Sequence, residues 1–461
     1  MRSAEQGLAM ALFLLVLIAA TLASASALIR LHAGRRDAVS MRVLADAKRQ
    51  LISMAVAQQP VGIGNNNRPG SLPCPDRNAP ASADAGRAGL GGTVTCPSNA
   101  ARLGRLPSAT LSQPALRDGS GEPLWYALVR GLDNQDDTPL NDDFVPENGA
   151  PWFGVWASAG RDALSADADP VVAVLIAPGP PLPGQVRGSD AQQRNPANYL
   201  ETAATAYGRF SNSDPGRARF LDGPLEGALN DRVLPIRRSE IMGPVARRAA
   251  HEYQQLLALW AASTGSWPNP ADPADPGCTQ SGGGFDQLGC RPDAARCRGR
   301  LPKTAALTGD LDRSAYRPAG IGAAAWSARL KAYDWLYRNR WEQQFHYAVG
   351  TAALRDAPLP GCAATPAVHG VGLPPGATLL GVMIGAGPVQ SGQRRTSAAD
   401  KAALANYLEP SGPAVGVDPA LNRQAWDAPP ARPDEYTRPG GNDSLHLLVR
   451  SNETTHWIHA D

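Results

Sequence analysis

The sequence predicts an α+β protein. An N-terminal transmembrane helix continues into a spine helix, followed by two tandem modules that each combine a helix with an antiparallel sheet. Three observations predict it. Residues 8–29 carry no charge. The stretch 171–201 recurs as 378–409 with matched spacing. Short runs rich in β-branched and apolar residues stand at corresponding places in both copies. At 461 residues the chain is long for one domain and suits two or three.

The N-terminus comes first. Residues 1–7 are polar and end in Gly7, directly before Leu8. The uncharged run that follows is long enough, at ~1.5 Å per helical residue, to cross a ~30 Å hydrocarbon core. Its polar residues are Thr21, Ser24 and Ser26, which can bond back to the helix. Three readings compete: a cleaved secretory signal using Ala23-Ser24-Ala25 or Ala25-Ser26-Ala27, a plain uncleaved anchor, and a short leader cut after Gly7 that leaves the helix in place. Arg30, Arg35 and Arg36 follow the run and only Arg2 precedes it, so the charge rule alone would put the rest of the chain in the cytoplasm. Six cysteines and two glycine-rich modules fit an oxidising exterior better, and that placement is preferred. Beyond the apolar run, Leu44, Ala47, Leu51 and Met54 form one helical stripe, with Arg42, Asp46, Lys48 and Arg49 mostly off it. Pro60 and the glycines of 62–70 should end the helix.

The duplication organises the rest. Ile176, Gly179, Pro180, Gly184, Gln185 and Arg187 recur as Ile384, Gly387, Pro388, Gly392, Gln393 and Arg395. Asn198-Tyr199-Leu200-Glu201 recurs as Asn406-Tyr407-Leu408-Glu409. Gly104-Arg105-Leu106-Pro107 recurs as Gly299-Arg300-Leu301-Pro302, and Asn230-Asp231 as Asn442-Asp443. Strands are expected at 123–129, 152–157 and 171–176, then at 344–349 and 379–384. The second module's helix is expected at about 245–264, with Val245, Ala249, Leu256 and Trp260 on its buried side. The resulting division is a leader at 1–7, a membrane helix at 8–29, and modules at 30–243 and 244–461.

Catalytic signals are few. A net charge of +2 gives no electrostatic case for nucleic acid. There is no GxSxG elbow, P-loop, HExxH or strand-borne GxGxxG, so an enzyme is not expected. His456 and His459 form an HxxH that reads as surface histidines before it reads as a metal site. Cys74, Cys96, Cys278, Cys290, Cys297 and Cys362 contain no CxxC pair, so disulfides are expected instead of zinc.

The order of segments resembles the type IV pilin and type II secretion pseudopilin family. The resemblance rests on Gly7-Leu8 before an apolar helix, the Leu72-Pro73-Cys74-Pro75-Asp76 turn after it, Gly-Arg-Leu-Pro, and Asp118-Gly119 before Leu124-Trp125-Tyr126-Ala127. It implies a non-enzymatic minor subunit of a type IV pilus or type II secretion system, single-pass in the inner membrane with its modules in the periplasm. It also implies prepilin peptidase as processing enzyme, methylation of the new terminus, and other pilin or pseudopilin subunits as partners. The family's glutamate at the fifth mature position is replaced by Leu12, which resembles the subunit at a filament tip. An adhesin on a pilin-like scaffold is the alternative. Several pseudopilins hold calcium in acidic loops; Asp133, Asp136, Asp137, Asn141, Asp142 and Asp143, with Glu147 nearby, offer the oxygens, and a solvated acidic turn is the other reading. Cys74 and Cys96, the only cysteines of the first module, are expected to pair. In the second module, analogy between the copies makes Cys290 the counterpart of Cys96, giving Cys278–Cys290 and Cys297–Cys362 among three possible connectivities.

Overall fold

The computed structural model describes residues 2–58, 68–91, 93, 95–133, 138–167, 169–225, 227–279, 289–354, 359–390, 392–408, 422, 434–437, 443–451 and 454–460. It is a mixed α+β structure with several antiparallel sheets. It separates into two compact units, one of Met1–Leu51, Pro73–Arg130 and Ala150–Arg237, the other of Ile52–Leu72, Gly131–Gly149 and Arg238–Asp461. The segments 52–72 and 131–149 therefore group with the second unit, although in sequence they belong to the first repeat.

Helix α1 runs Arg2–Ala57. Within it, side chains are described at Leu17, Thr21 and Ser24 and from Leu31 onward, so most of the apolar run lies outside the described residues. Among the described residues, no helix is long and apolar enough to cross a membrane. The buried stripe is Leu44, Ala47, Leu51 and Ala55. Met54 is only half-buried, because the 3.6-residue period places Ala55, not Met54, four residues beyond Leu51 on the same face. Pro60 and residues 61–67 lie outside the described residues.

In the first unit the strands are β1 (Leu103–Arg105), β2 (Trp125–Leu128), β3 (Gly154–Ala157), β4 (Asp162–Ala163), β5 (Val171–Ala177), β6 (Thr202–Thr205), β7 (Gly208–Ser211), β8 (Arg219–Leu221) and β9 (Arg232–Arg237). The short helix α2 is Asp190–Arg194. The main sheet has the order β1-β2-β5-β9 and is antiparallel throughout. All seven residues of β5 are buried, which explains its unbroken apolar run: both faces of the sheet are covered. Helix α1 is tied to this unit by Lys48, whose Nζ donates to the Pro235 carbonyl at 2.8 Å, and by an Asp37–Arg232 ion pair. The Asp118-Gly119 turn also touches it. A Cβ on Gly119 would lie 2.1 Å from the Arg36 carbonyl oxygen, so this approach requires glycine.

In the second unit helix α3 spans Arg238–Thr264. It starts earlier than the hydrophobic pattern implied, because β9 ends at Arg237 and the chain enters the helix with no loop between; Ile241 and Met242 are buried in its first turns. Four short helices follow, α4 (Pro276–Thr279), α5 (Thr304–Leu311), α6 (Ala323–Lys331) and α7 (Asp334–Arg338), and later α8 (Ala398–Ala402). The strands are β10 (Arg298–Arg300), β11 (Phe345–Val349), β12 (Ala367–His369), β13 (Thr378–Gly385), β14 (Glu435–Thr437), β15 (Ser444–Ser451) and β16 (Thr454–Ala460). The main sheet has the order β10-β11-β13-β15-β16. Tyr253 of α3 meets Phe345 of β11 edge-on at 5.5 Å, and Gln254 bonds His446 of β15 at 3.0 Å. On the other face Ala348, Val382, Ile384, Leu445, Leu447 and Val449 form a core with Leu408 and Tyr436. Helix α3 buries Val245, Ala249, Tyr253, Leu256 and Leu257, whereas Trp260 is only half-buried.

The two sheets share one plan. Gly104 faces Tyr126 and Gly299 faces Tyr347; Trp125 faces Ile176 and His346 faces Ile384. The register slips between Val171 and Ala173 in one and between Leu379 and Gly381 in the other. Each unit also has a small parallel pair, β3 with β8 and β12 with β14. The recurring glycine has one cause in both. A Cβ on Gly104 would lie 2.6 Å from the Asp76 carbonyl oxygen, and one on Gly299 would lie 2.0 Å from that of Ala271. There a crossing chain bonds its backbone to Arg105 or Arg300. Disulfides join Cys74 to Cys96, Cys278 to Cys290 and Cys297 to Cys362, the pairs anticipated from the sequence.

Candidate functional site

The segment that recurs most closely in sequence builds the same side-chain assembly in both units. In the first, a capping box at Ser189 starts α2, and Asn198 donates to the Gln192 carbonyl at 3.0 Å to close the turn. This fixes Arg187. Its Nε donates to the Asn198 carbonyl at 2.7 Å, its Nη1 to the Gly179 carbonyl at 3.2 Å and its Nη2 to Gln185 Oε1 at 2.8 Å. The guanidinium sits 4.2 Å from the Tyr199 ring centre. In the second unit Ser397 caps α8, and Arg395 repeats each bond to Asn406, Gly387 and Gln393, 4.3 Å from the Tyr407 ring. The glycine, glutamine, arginine, asparagine and tyrosine of the motif are thus explained by one geometry.

Each arginine also holds a carboxylate. Arg187 takes Glu122 at 2.8 Å; Arg395 takes Asp143 at 3.0 Å. The partners come from different places. Glu122 lies three residues before β2, whereas Asp143 arrives on the 131–149 segment and is gripped further by Gln344 at 2.8 Å. A second arginine from the first sheet strand completes the cluster. Arg105 pairs with Asp76 at 3.0 Å, and Arg300 bonds the carbonyls of Gln343 and Lys401 and lies 4.1 Å from the Tyr407 ring.

The surroundings differ. In the second unit Arg300, Arg395 and Tyr407 of the cluster are buried. Burial pushes Lys401 down to about 8, reinforced by Arg340, and pushes Glu342 up to about 7. Burial and then the charge of Asp143 push Asp142 up to about 7. His346 behind Tyr407 is held neutral by burial, then by Arg300 and Arg395. In the first unit a polar cavity of about 460 Å³ opens among Asp76, Arg105, Arg117, Glu122, Arg187 and Tyr199. A separate groove of about 510 Å³ is lined by Trp152, Trp156, Arg217 and Arg219.

The sites expected from sequence fall as follows. Gly7 and Leu8 lie within α1, with their side chains outside the described residues. In the acidic loop, Asp136 and Asp137 lie outside the described residues. Asn141 donates to the Asn339 carbonyl at 2.8 Å, Asp143 is taken by Arg395 and Gln344, and the Asp133 carbonyl accepts from Arg68. Among the described residues these carboxylates do not gather with one another into a metal-ligand group. The HxxH motif is divided by β16, since His456 and His459 stand three apart on a strand and point to opposite faces. His459 instead meets His446 across the sheet, ring centres 4.7 Å apart.

That pair has a pH consequence. Burial, and then His459, push His446 down to about 3, below the usual 6.5. The unfolded chain takes the proton first, so this contribution to stability is present above pH 6.5 and is lost as pH falls from 6.5 toward 3. His446→Gln removes the titration. Between pH 8 and pH 5 the wild-type chain should lose about 2 kcal/mol more stability than the variant, read from denaturant midpoints. Parallel pH profiles would contradict the assignment.

No protein-family model, curated protein or solved structure matches this chain.

Proposed function

We propose that the chain is a non-enzymatic, membrane-anchored minor pilin- or pseudopilin-like subunit of a type IV pilus or type II secretion system. In this reading its uncharged N-terminal run enters the inner membrane and both units lie in the periplasm. The observation that carries the reading is α1. A single helix of 56 residues holds the uncharged 8–29 run in one half and a stripe buried in the fold in the other. Two further features support it. All six cysteines are paired, in keeping with an oxidising compartment. Leu12 in place of a glutamate suits a subunit with no neighbour ahead of it in a filament. The arginines after the run argue the other way and weigh less than the cysteine pairing.

A second reading, an adhesin on the same scaffold, is favoured by the Trp152 and Trp156 groove, since aromatic-lined concavities are common binding sites. Leader processing separates the two. With prepilin peptidase co-expressed, Gly7→Ala should be processed like wild type, and Gly7→Trp should accumulate at full length. Normal processing of Gly7→Trp would exclude cleavage at Gly7.

A further inference from the structure

The first unit's cavity has no part in the anchoring function proposed above. Its charge does not balance. Arg105 faces Asp76, and Arg187 faces Glu122, each as an ion pair within 3.0 Å. Arg117 is a third cation on the wall. It donates to the Gly121 carbonyl at 2.8 Å and has no carboxylate partner among the described residues. Arg105 uses only its Nη2, on Asp76 and the Asn78 carbonyl, so its Nε and Nη1 donors are unengaged among the described residues. Leu106, Leu116 and Pro123 add an apolar wall. A volume of about 460 Å³ lies in the range of small-ligand sites.

Both copies show the chemistry, since Arg105, Arg187 and Arg395 each take a carboxylate. In the second unit the matching assembly grips a carboxylate, Asp143, carried by a segment distant in sequence. Gln193, on the wall of the first cavity, corresponds in the repeat to Lys401, which is buried in the second. The carboxylate position on the repeated arginine is taken in both units, by Glu122 on Arg187 and by Asp143 on Arg395, and the open volume in the first unit lies beside Arg105 and Arg117.

We propose that the first unit's cavity binds a carboxylate-bearing ligand, its carboxylate on Arg105 and Arg117 and its apolar part along Leu106, Leu116 and Pro123. An arginine pair suits a carboxylate through charge-assisted, often bidentate hydrogen bonds. The carboxylate has two sources, a free small acid or an acidic side chain of a protein loop.

The test is calorimetric titration of the full chain in detergent with two probes: benzoate, and a peptide copying residues 139–147, the segment that carries Asp143. Benzamide is the uncharged control. Saturable binding of either probe is expected, with benzamide inert. Benzoate binding supports a free acid, and binding of the peptide alone supports a protein loop. Arg117→Gln should weaken binding at least about tenfold, and Ala115→Trp, at an exposed position on the cavity wall, should abolish it. Near-ultraviolet circular dichroism checks that both variants stay folded. The proposal fails if neither probe binds, if benzamide binds equally, or if binding survives both substitutions.

Discussion

Leu256→Asp unfolds the second unit, at a cost above about 4 kcal/mol. Leu256 is fully buried on α3, on the face that also buries Val245, Ala249 and Tyr253. A carboxylate there either ionises without a partner or holds its proton, and both are expensive. The apolar burial of the leucine, worth about 1.5–3 kcal/mol, is lost as well. Trp260→Asp is the control, since that residue is only half-buried; its cost should stay below about 2 kcal/mol. Limited proteolysis under oxidising conditions reads the outcome. Leu256→Asp should expose the second unit to cleavage while leaving the first protected. Equal sensitivity of the two variants would refute the packing described for α3.

Arg395→Ala removes the centre of the second unit's polar cluster and should cost about 3–5 kcal/mol. The guanidinium is nearly inaccessible and serves Asp143, Gln344 and the carbonyls of Gly387 and Asn406 at once. Truncation leaves Asp143 Oδ1 and the carbonyls of Gly387 and Asn406 without the guanidinium donor, with Gln344 still donating to Asp143 Oδ2. Arg395→Lys keeps the charge but not the planar fork, so it should recover only a minor part of the loss. A double-mutant cycle with Asp143→Ala should show a coupling above about 1 kcal/mol. A loss under about 1 kcal/mol for Arg395→Ala would mean that the cluster is solvated and not structural.

Much of this is legible in the sequence. Repeated residues at a constant interval mark equivalent places in two sheets, and Ile176 and Ile384 occupy the same register. The strands that the sequence marks most clearly are long apolar runs such as β5 and β13. Three-residue strands such as β1 and β10 are not so marked, because so short a stretch shows no period. The small helices α5 to α7, between β10 and β11, have no counterpart in the first copy, so the repeat gave no guide to them. The acidic residues of 133–147 suggested calcium by composition. Their oxygens are partly spent on Arg395 and Gln344, and sequence reasoning could not see partners so remote. The arginine–tyrosine assembly was visible as a motif but not as a site. Only the fold shows that its arginine reaches both a tyrosine face and a carboxylate, and that a cavity opens beside one copy.

The central claim, that α1 is the retained membrane helix of a pilin-like subunit, is tested most directly at the mature N-terminus. The chain would be recovered from membranes of cells that also express prepilin peptidase, and its first residues determined by sequencing and intact mass. The account predicts a chain that begins at Leu8 and carries one added methyl group on its α-amine. A terminus near Ser26 or Leu28 would mean that signal peptidase removes the helix, and would contradict it.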